Sequence, residues 1–358
     1  MKSVQIKNKL LQIPIIQGGM GVGISLSSLA GNVMKQGAMG VLSAAHPGYK
    51  NDNFEKQSLQ VNLKAIEEHV LKAREISENK GLLGINIMCA SKDYEKYVKQ
   101  AEACKVDCII SGAGLPLHLP SMISDHNILL APIVSSGKAI SLICRMWDKR
   151  YSKTPDFVVV EGVKAGGHLG FKEHDVLNET CESLEKILKD VKNEIKQFEE
   201  IYDKKIPVFV AGGIFDGKDI AKFLTLGADG VQMGTRFIPT YECDCDDKLK
   251  QAIILSEESD IKIVKSPTGF PGRALNNDFV KNLKDIIKIT KCFNCLTPCN
   301  PSDTPYCISE ALINAVKGDI NKGLLFVGSN AHRIKEMCSV SALINELVIE
   351  TKLELEKL

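Results

Sequence analysis

The sequence predicts an α/β protein built as a (β/α)8 barrel of the TIM type, followed by a C-terminal cap or lid. Three observations predict it. Eight short runs rich in β-branched residues alternate with longer polar segments of helical period, the pattern of successive βα units. The runs are nearly continuous in apolar character, as parallel strands covered on both faces require. Glycine recurs at their C-terminal ends, where a barrel of this kind carries its active site.

In order, the runs are "IPIIQGG" (13–19), "AMGVLSAA" (38–45), "LLGINIMCA" (82–90), "DCIISGAG" (107–114), "ILLAPIVSS" (128–136), "DFVVVEG" (156–162), "IPVFVAGG" (206–213) and "GADGVQMGT" (227–235). Between them lie helical candidates such as "SLSSLAGNVMKQG", "DYEKYVKQAEACKV" and "SLEKILKDVKNEIKQFEEIYDKK", several ending in Lys or Gly as helix C-termini prefer. The barrel is expected over residues 1–256 and the cap, with closing helices, over 257–358. "GGMGVG" near the start is not a dinucleotide fingerprint, because its spacing is not G-x-G-x-x-G and eight units do not suit a doubly wound sheet.

Composition narrows the function classes. With 358 residues the chain can bury a large core. Forty-five basic and 44 acidic side chains leave a net charge of +1, so no overall field attracts nucleic acid or an anionic membrane, and a small molecule is the expected partner. No apolar run has the length of a membrane span or the form of a signal peptide, so a cytoplasmic protein is expected, with a homodimer as an open alternative. In that compartment the 12 cysteines are expected to be thiols or metal ligands, not a disulfide framework.

The chemistry gathers at the strand ends. "QGGMG", "SGAG", "EGVKAGGHLG", "AGGIFDG" and "QMGTRF" each place glycines where backbone N–H groups can approach a ligand. The loops after strands seven and eight, with Gly212, Gly213, Gly234 and Thr235, occupy the phosphate position of many barrels. In "EGVKAGGHLG" the glycines at 166, 167 and 170 clear space around His168, so its imidazole is free to face a planar ligand and exchange a proton near neutral pH. Glu161 at the strand end either orients that imidazole, binds a ligand hydroxyl or forms an ordinary ion pair. Asn86, an amide inside an apolar strand, needs partners that a heterocycle edge or a neighbouring loop would supply.

Taken together, "PIIQGGMG", "GINIM", "SGAGLP", "EGVKAGGHLG", "VFVAGGIFDG", "GADGVQMGTRF" and "GRALNN" resemble the nitronate monooxygenase family, FMN-dependent barrels related to the flavin-dependent enoyl-acyl-carrier-protein reductases. The resemblance implies FMN across the top of the barrel. It assigns the phosphate to Gly212, Gly213, Gly234 and Thr235, and the ring to Gln17, Gly18, Gly19, Met20, Asn86 and the backbone of Ala165, Gly166 and Gly167. Glu161, Ala211 and Gln232 are counted with the cofactor site, and the resemblance implies that His168 faces the substrate beside the flavin as the catalytic base or hydrogen-bonding group. The implied activity is oxidation of a propionate-3-nitronate-like anion with dioxygen. "QGGMG" is closer to the reductase branch, so an NAD(P)H-dependent enoyl-thioester reductase is the first alternative and a non-catalytic flavin- or metal-binding redox sensor the second.

Two cysteine-bearing stretches invite other readings. Cys292, Cys295, Cys299 and Cys307 form C-x2-C-x3-C-x7-C, four thiols in a short loop that suit zinc or an iron–sulfur cluster but lack the second tight C-x2-C of a zinc ribbon. "ECDCDD" (242–247) is read as the solvated acidic start of a helix.

Overall fold

The computed structural model describes residues 1–283, 289 and 292–357. The chain opens with a hairpin of β1 (Val4–Ile6) and β2 (Lys9–Leu11). Eight parallel strands then close into a barrel: β3 (Ile15–Gln17), β4 (Met39–Ser43), β5 (Leu82–Met88), β6 (Cys108–Gly112), β7 (Leu129–Val134), β8 (Val158–Glu161), β10 (Val208–Ala211) and β11 (Gly230–Met233). Each lies inside one of the eight apolar runs. Between β8 and β10 the two-residue strand β9 (Gly167–His168) leaves the barrel and pairs elsewhere.

Period-two alternation explains the closure. Met39, Val41, Ile110, Val159 and Phe209 point into the barrel with Ile16, while Val158, Val160, Val208 and Val210 point out to the helices. Phe157 and Phe209 meet edge to face at 5.3 Å in the interior, both fully buried. Burial of such a side chain stabilises the fold by roughly 1.5–3 kcal/mol. Ile6 and Leu11 of the hairpin join this interior cluster and plug the N-terminal end of the barrel.

The surrounding helices include α1 (Ser27–Lys35), α2 (Ser58–Ser77), α3 (Tyr94–Ala103), α4 (Gly137–Tyr151), the short α5 (Glu173–Leu177), α6 (Leu184–Tyr202) and α7 (Gly217–Thr225). Close packing is written into Gly40 on β4, where a Cβ would sit 2.1 Å from the Ala30 carbonyl oxygen of α1. α8 (Asp247–Ile254) does not complete the ring. That place is taken by α11 (Val340–Leu355), which packs against both α7 and α1.

The remaining C-terminal elements form a second layer over the mouth. β12 (Ile261–Lys265) and β13 (Pro271–Leu275) are antiparallel, and β13 also pairs with β9, setting Gly272 opposite His168. The short α9 (Asp278–Lys281) follows, and α10 (Ile308–Val316) packs through Ile308 and Ala311 in a small core with Val264, Leu296 and Tyr306. Among the described residues, no helix is long and apolar enough to cross a membrane.

Candidate active site

A cavity of about 540 Å3 opens at the C-terminal ends of the barrel strands, roofed by the second layer. Its two sides differ in chemistry. The strand order places the loops after β10 and β11 across the mouth from those after β4, β5 and β6.

The first side is polar. Gly212 and Gly213 adopt φ of +89° and +97°, a region open to glycine but strained for other residues, and a Cβ at Gly212 would lie 2.6 Å from the Gly162 carbonyl oxygen. The C-terminal segment 328–330 is stitched onto both loops: the Gly328 N–H donates to Thr235 Oγ1 at 2.8 Å, and Asn330 Nδ2 donates to the Gly213 carbonyl at 2.7 Å. Three cavity-lining side chains here hold buried polar atoms with no hydrogen-bond partner among the described residues, namely Gln232 Oε1, Ser329 Oγ and Arg236 Nε. Buried polar groups are normally satisfied, so three orphans around one cavity mark a place where a polar ligand completes the bonding. Lys164 lines the same side and has no carboxylate partner among the described residues.

The opposite side is largely apolar, with Met88, Phe293, Leu296, Ile308 and Leu312. Among its polar residues is His46, buried and in the left-handed region at φ +51°. Nε2 lies 2.7 Å from Ser309 Oγ and Nδ1 lies 3.2 Å from Asn62 Nδ2, and burial lowers the imidazole to about 4. Residues 292–297 strap this wall to the end of β5 through the Lys92 N–H bond to the Cys295 carbonyl (3.1 Å) and the Thr297 N–H bond to the Ala90 carbonyl (2.8 Å).

Between the two sides lie Gly18, Gly19, Met20, Asn86, Glu161 and residues 165–168. Burial alone pushes the Glu161 carboxyl up to about 8, and none of the described side chains pairs with it. The Asn86 amide has no hydrogen-bond partner among the described residues either. His168 meets Ser266 Oγ at 2.7 Å through Nε2 and packs edge-on against Phe326 at 5.0 Å.

A family model described as nitronate monooxygenase matches residues 2–350. The chain belongs to the nitronate monooxygenase family.

Relatives agree with this membership. The chain is 28% identical over 316 residues to a probable nitronate monooxygenase of Staphylococcus aureus strain Newman, covering 77% of this chain and 80% of the relative. It is 27% identical over 295 residues to a probable nitronate monooxygenase of Staphylococcus haemolyticus, covering 76% and 78%. Among solved structures, FabK from Thermotoga maritima superposes with a TM-score of 0.74 at 25% identity, covering 97% of this chain and 95% of FabK. A nitroalkane oxidase from Streptomyces ansochromogenes, at 20% identity and a TM-score of 0.73, shares the fold over 97% of this chain and 98% of its own. As a family member the chain is an oxidoreductase.

Within this nitronate monooxygenase fold, the expected residues Gly18, Gly19, Met20, Asn86, Glu161, Ala165, Gly166, Gly167, His168, Ala211, Gly212, Gly213, Gln232, Gly234 and Thr235 all line one cavity. Gln17 does not. Its buried amide donates to Ser25 Oγ at 2.8 Å and accepts the Val41 N–H at 3.2 Å, so it props the glycine loop from behind. The expected near-neutral titration of His168 is also corrected, because burial lowers it to about 4 and keeps the ring neutral.

The metal reading of the cysteines is corrected in the same way. Among the described residues, no three His, Cys, Asp or Glu side chains are gathered to hold a metal. Cys292 is exposed, whereas burial raises the Cys295 thiol and lifts Cys307, the N-cap residue of α10, to about 11. The "ECDCDD" reading holds for Asp246, which caps α8, but Asp244 turns inward and accepts the N–H groups of Leu26, Ser28 and Leu29 at the start of α1.

Sequence reasoning gave no site role to Lys164, His46, Ser266 or the 328–330 segment, although the last lies in "KGDINKGLLFVGSN", which extends the family resemblance. Only the last carried a signal, the glycine and serine of "FVGSN", but nothing local says which barrel loops it reaches.

Proposed function

We propose that the chain is an FMN-dependent oxidoreductase of nitronate monooxygenase type, acting on alkyl nitronates of the propionate-3-nitronate kind with dioxygen as oxidant. The observation that supports this reading is the trio of polar atoms left without a partner among the described residues, Gln232 Oε1, Ser329 Oγ and Arg236 Nε, beside two glycine loops and Lys164, which has no carboxylate partner among those residues. A phosphate-bearing, hydrogen-bonding ligand suits that donor set, and FMN has both parts. Bound there, the flavin supplies the redox chemistry, taking electrons from substrate and passing them to dioxygen.

The protein supplies binding and orientation. Backbone N–H groups of Gly212, Gly213, Gly234 and Thr235 hold the phosphate, with Lys164 giving positive charge at that end. Ser329 and Gln232 find their missing partners on the ligand, and the Asn86 amide meets a heterocycle edge. Glu161, with its carboxyl at about 8, is mostly protonated at neutral pH and so donates a hydrogen bond without repelling an anionic substrate. His168, neutral and packed against Phe326, faces the substrate.

A second reading, NAD(P)H-dependent reduction of an enoyl thioester, is favoured by the apolar far wall of Met88, Phe293, Ile308 and Leu312, which suits an acyl tail. One experiment separates them. Anaerobic mixing of the FMN-loaded protein with propionate 3-nitronate is expected to bleach the flavin faster than NADH or NADPH does. Rapid bleaching by reduced nicotinamide and none by nitronate would move the assignment to the reductase. Failure to retain FMN after reconstitution would overturn both.

A further inference from the structure

Two of the 12 cysteines meet at a place that the candidate active site does not use. Cys243 and Cys245 are buried in the turn before α8, with their sulfurs 3.5 Å apart in hydrogen-bond contact. No other two thiols make such a contact among the described residues. Cys243 Sγ also donates to the Ile24 carbonyl at 3.5 Å, and the Cys245 N–H turns back toward the Cys243 sulfur.

The residue between them has a different task. Leu26, at the N-cap of α1, offers no side-chain capping bond, and Asp244 supplies one from outside the helix. Its carboxylate accepts the N–H groups of Leu26 at 3.1 Å, Ser28 at 3.2 Å and Leu29 at 3.0 Å, and its own N–H donates to the Ile24 carbonyl at 3.4 Å. The Cys-Asp-Cys turn thus carries both the start of α1 and the end of the glycine loop before it. Ser25 extends the connection: its Oγ accepts the Met20 N–H at 2.9 Å and the Gln17 amide at 2.8 Å, and its N–H donates to the Met20 carbonyl at 2.9 Å. Gly18, Gly19, Met20, Val22 and Ile24 line the cavity, so a shift of the turn is felt there.

We propose that Cys243 and Cys245 form a reversible dithiol–disulfide pair, and that closing the disulfide loosens the 18–25 loop and its hold on the cofactor. The cofactor half of this inference rests on the flavin reading above. The oxidant is a peroxide. The Cys245 sulfur attacks one oxygen of hydrogen peroxide, the O–O bond breaks and one water leaves, so that the sulfur carries a hydroxyl. The Cys243 sulfur then displaces that hydroxyl, the S–S bond forms, and the thiol proton departs with the hydroxyl as a second water. Two electrons pass from the two sulfurs to one peroxide, and a dithiol reductant returns them.

Surroundings set the order of the two sulfurs. Burial and the neighbouring thiol hold Cys243 well above the ordinary thiol range, so it keeps its proton and the attack falls to Cys245. Bond formation needs the sulfurs at about 2.05 Å. Residues 243 and 245 close on one another, and Asp244 between them is drawn off the α1 N–H groups. A ring of two cysteines separated by one residue removes little entropy from the unfolded chain, so it adds almost no stability to offset the lost cap. A strained disulfide is also readily reduced, which makes the change reversible.

The test treats reduced, FMN-loaded protein with hydrogen peroxide. Mass mapping should find the peptide with residues 243–245 lighter by two hydrogens and closed to alkylation, and dithiothreitol should restore it. The fluorescence of flavin released on dilution should give a dissociation constant raised roughly two- to thirtyfold by oxidation, the span for loss of a helix cap, and recovered with dithiothreitol. Cys245→Ser should hold FMN as the reduced wild type does and ignore peroxide, and Cys243→Ser serves in its place should that variant not fold. A 243–245 peptide that stays reduced, a dissociation constant that does not move when the disulfide forms, or the same loss in the serine variant would overturn the inference. The flavin reading fails separately, if the reduced protein retains no FMN. Oxidised wild type should then still melt at a lower temperature than reduced, with the serine variant unresponsive, and equal melting temperatures would overturn the pair as a switch.

Discussion

The backbone N–H of Gly328 donates to Oγ1 of Thr235 at 2.8 Å, joining the C-terminal layer to the loop after the last barrel strand. Residues 93 positions apart in sequence thereby share one edge of the polar end of the cavity. Thr235→Val keeps the shape and removes the acceptor, leaving a part-buried N–H without its partner at a cost of about 1–3 kcal/mol. We expect FMN to bind roughly five- to a hundredfold more weakly, read from the quenching of flavin fluorescence on titration. Unchanged affinity would show that this clasp has no part in holding the cofactor.

The glycine loop after β3 makes a sharper steric prediction. A Cβ at Gly19 would lie 2.5 Å from Cβ of Asn86 and 3.0 Å from the Leu42 carbonyl oxygen, contacts with fixed atoms. At Gly18 the nearest neighbours are atoms of the flexible Gln232 side chain, at 3.3 Å. Gly19→Ala should therefore destabilise the protein by about 1–3 kcal/mol and reduce FMN occupancy, and Gly18→Ala should change stability by less than about 1 kcal/mol. Denaturant melts of the two variants check the order.

Protonation of the cavity gives a pH signature. His46 and His168 titrate near 4 in the fold against about 6.5 unfolded, so as pH falls below about 6.5 the unfolded state takes up protons that the fold refuses, and stability drops. Glu161 works the other way. Its carboxyl, raised to about 8, holds a proton in the fold that the unfolded chain has already released, so its contribution is present at low pH and is lost as pH rises from about 4.5 to 8. Glu161→Gln should remove that loss, so the gap in stability between variant and wild type should widen in the variant's favour from pH 5 to pH 8. A gap independent of pH would contradict the raised carboxyl.

For the cysteine strap we expect no stoichiometric zinc or iron in anaerobically purified protein, and an unchanged melting temperature after chelation. Elemental analysis showing one metal per chain would establish that these thiols do gather around a metal.

The architecture was legible because it is repetitive and local. Eight apolar runs with glycine at their ends each need a sheet neighbour and a covering helix, and a closed barrel satisfies all of them at once, so strand count, order and the active end follow from pattern alone. The residues meeting at the mouth, from Gly18 to Thr235, were legible for the same reason, since strand ends share one rim. Gln17 broke that expectation because one residue's difference along a strand decides whether a side chain lies behind the loop or beside the ligand. The state of His168 was beyond the sequence altogether. Composition around it showed only space, and it took the pairing of β9 with β13 to bring Ser266 to its Nε2 and remove the ring from water. Local periodicity determines which elements form and where the chemistry collects. Burial and long-range hydrogen bonds, which depend on contacts far apart in the chain, decide the charge and proton position of each group collected there.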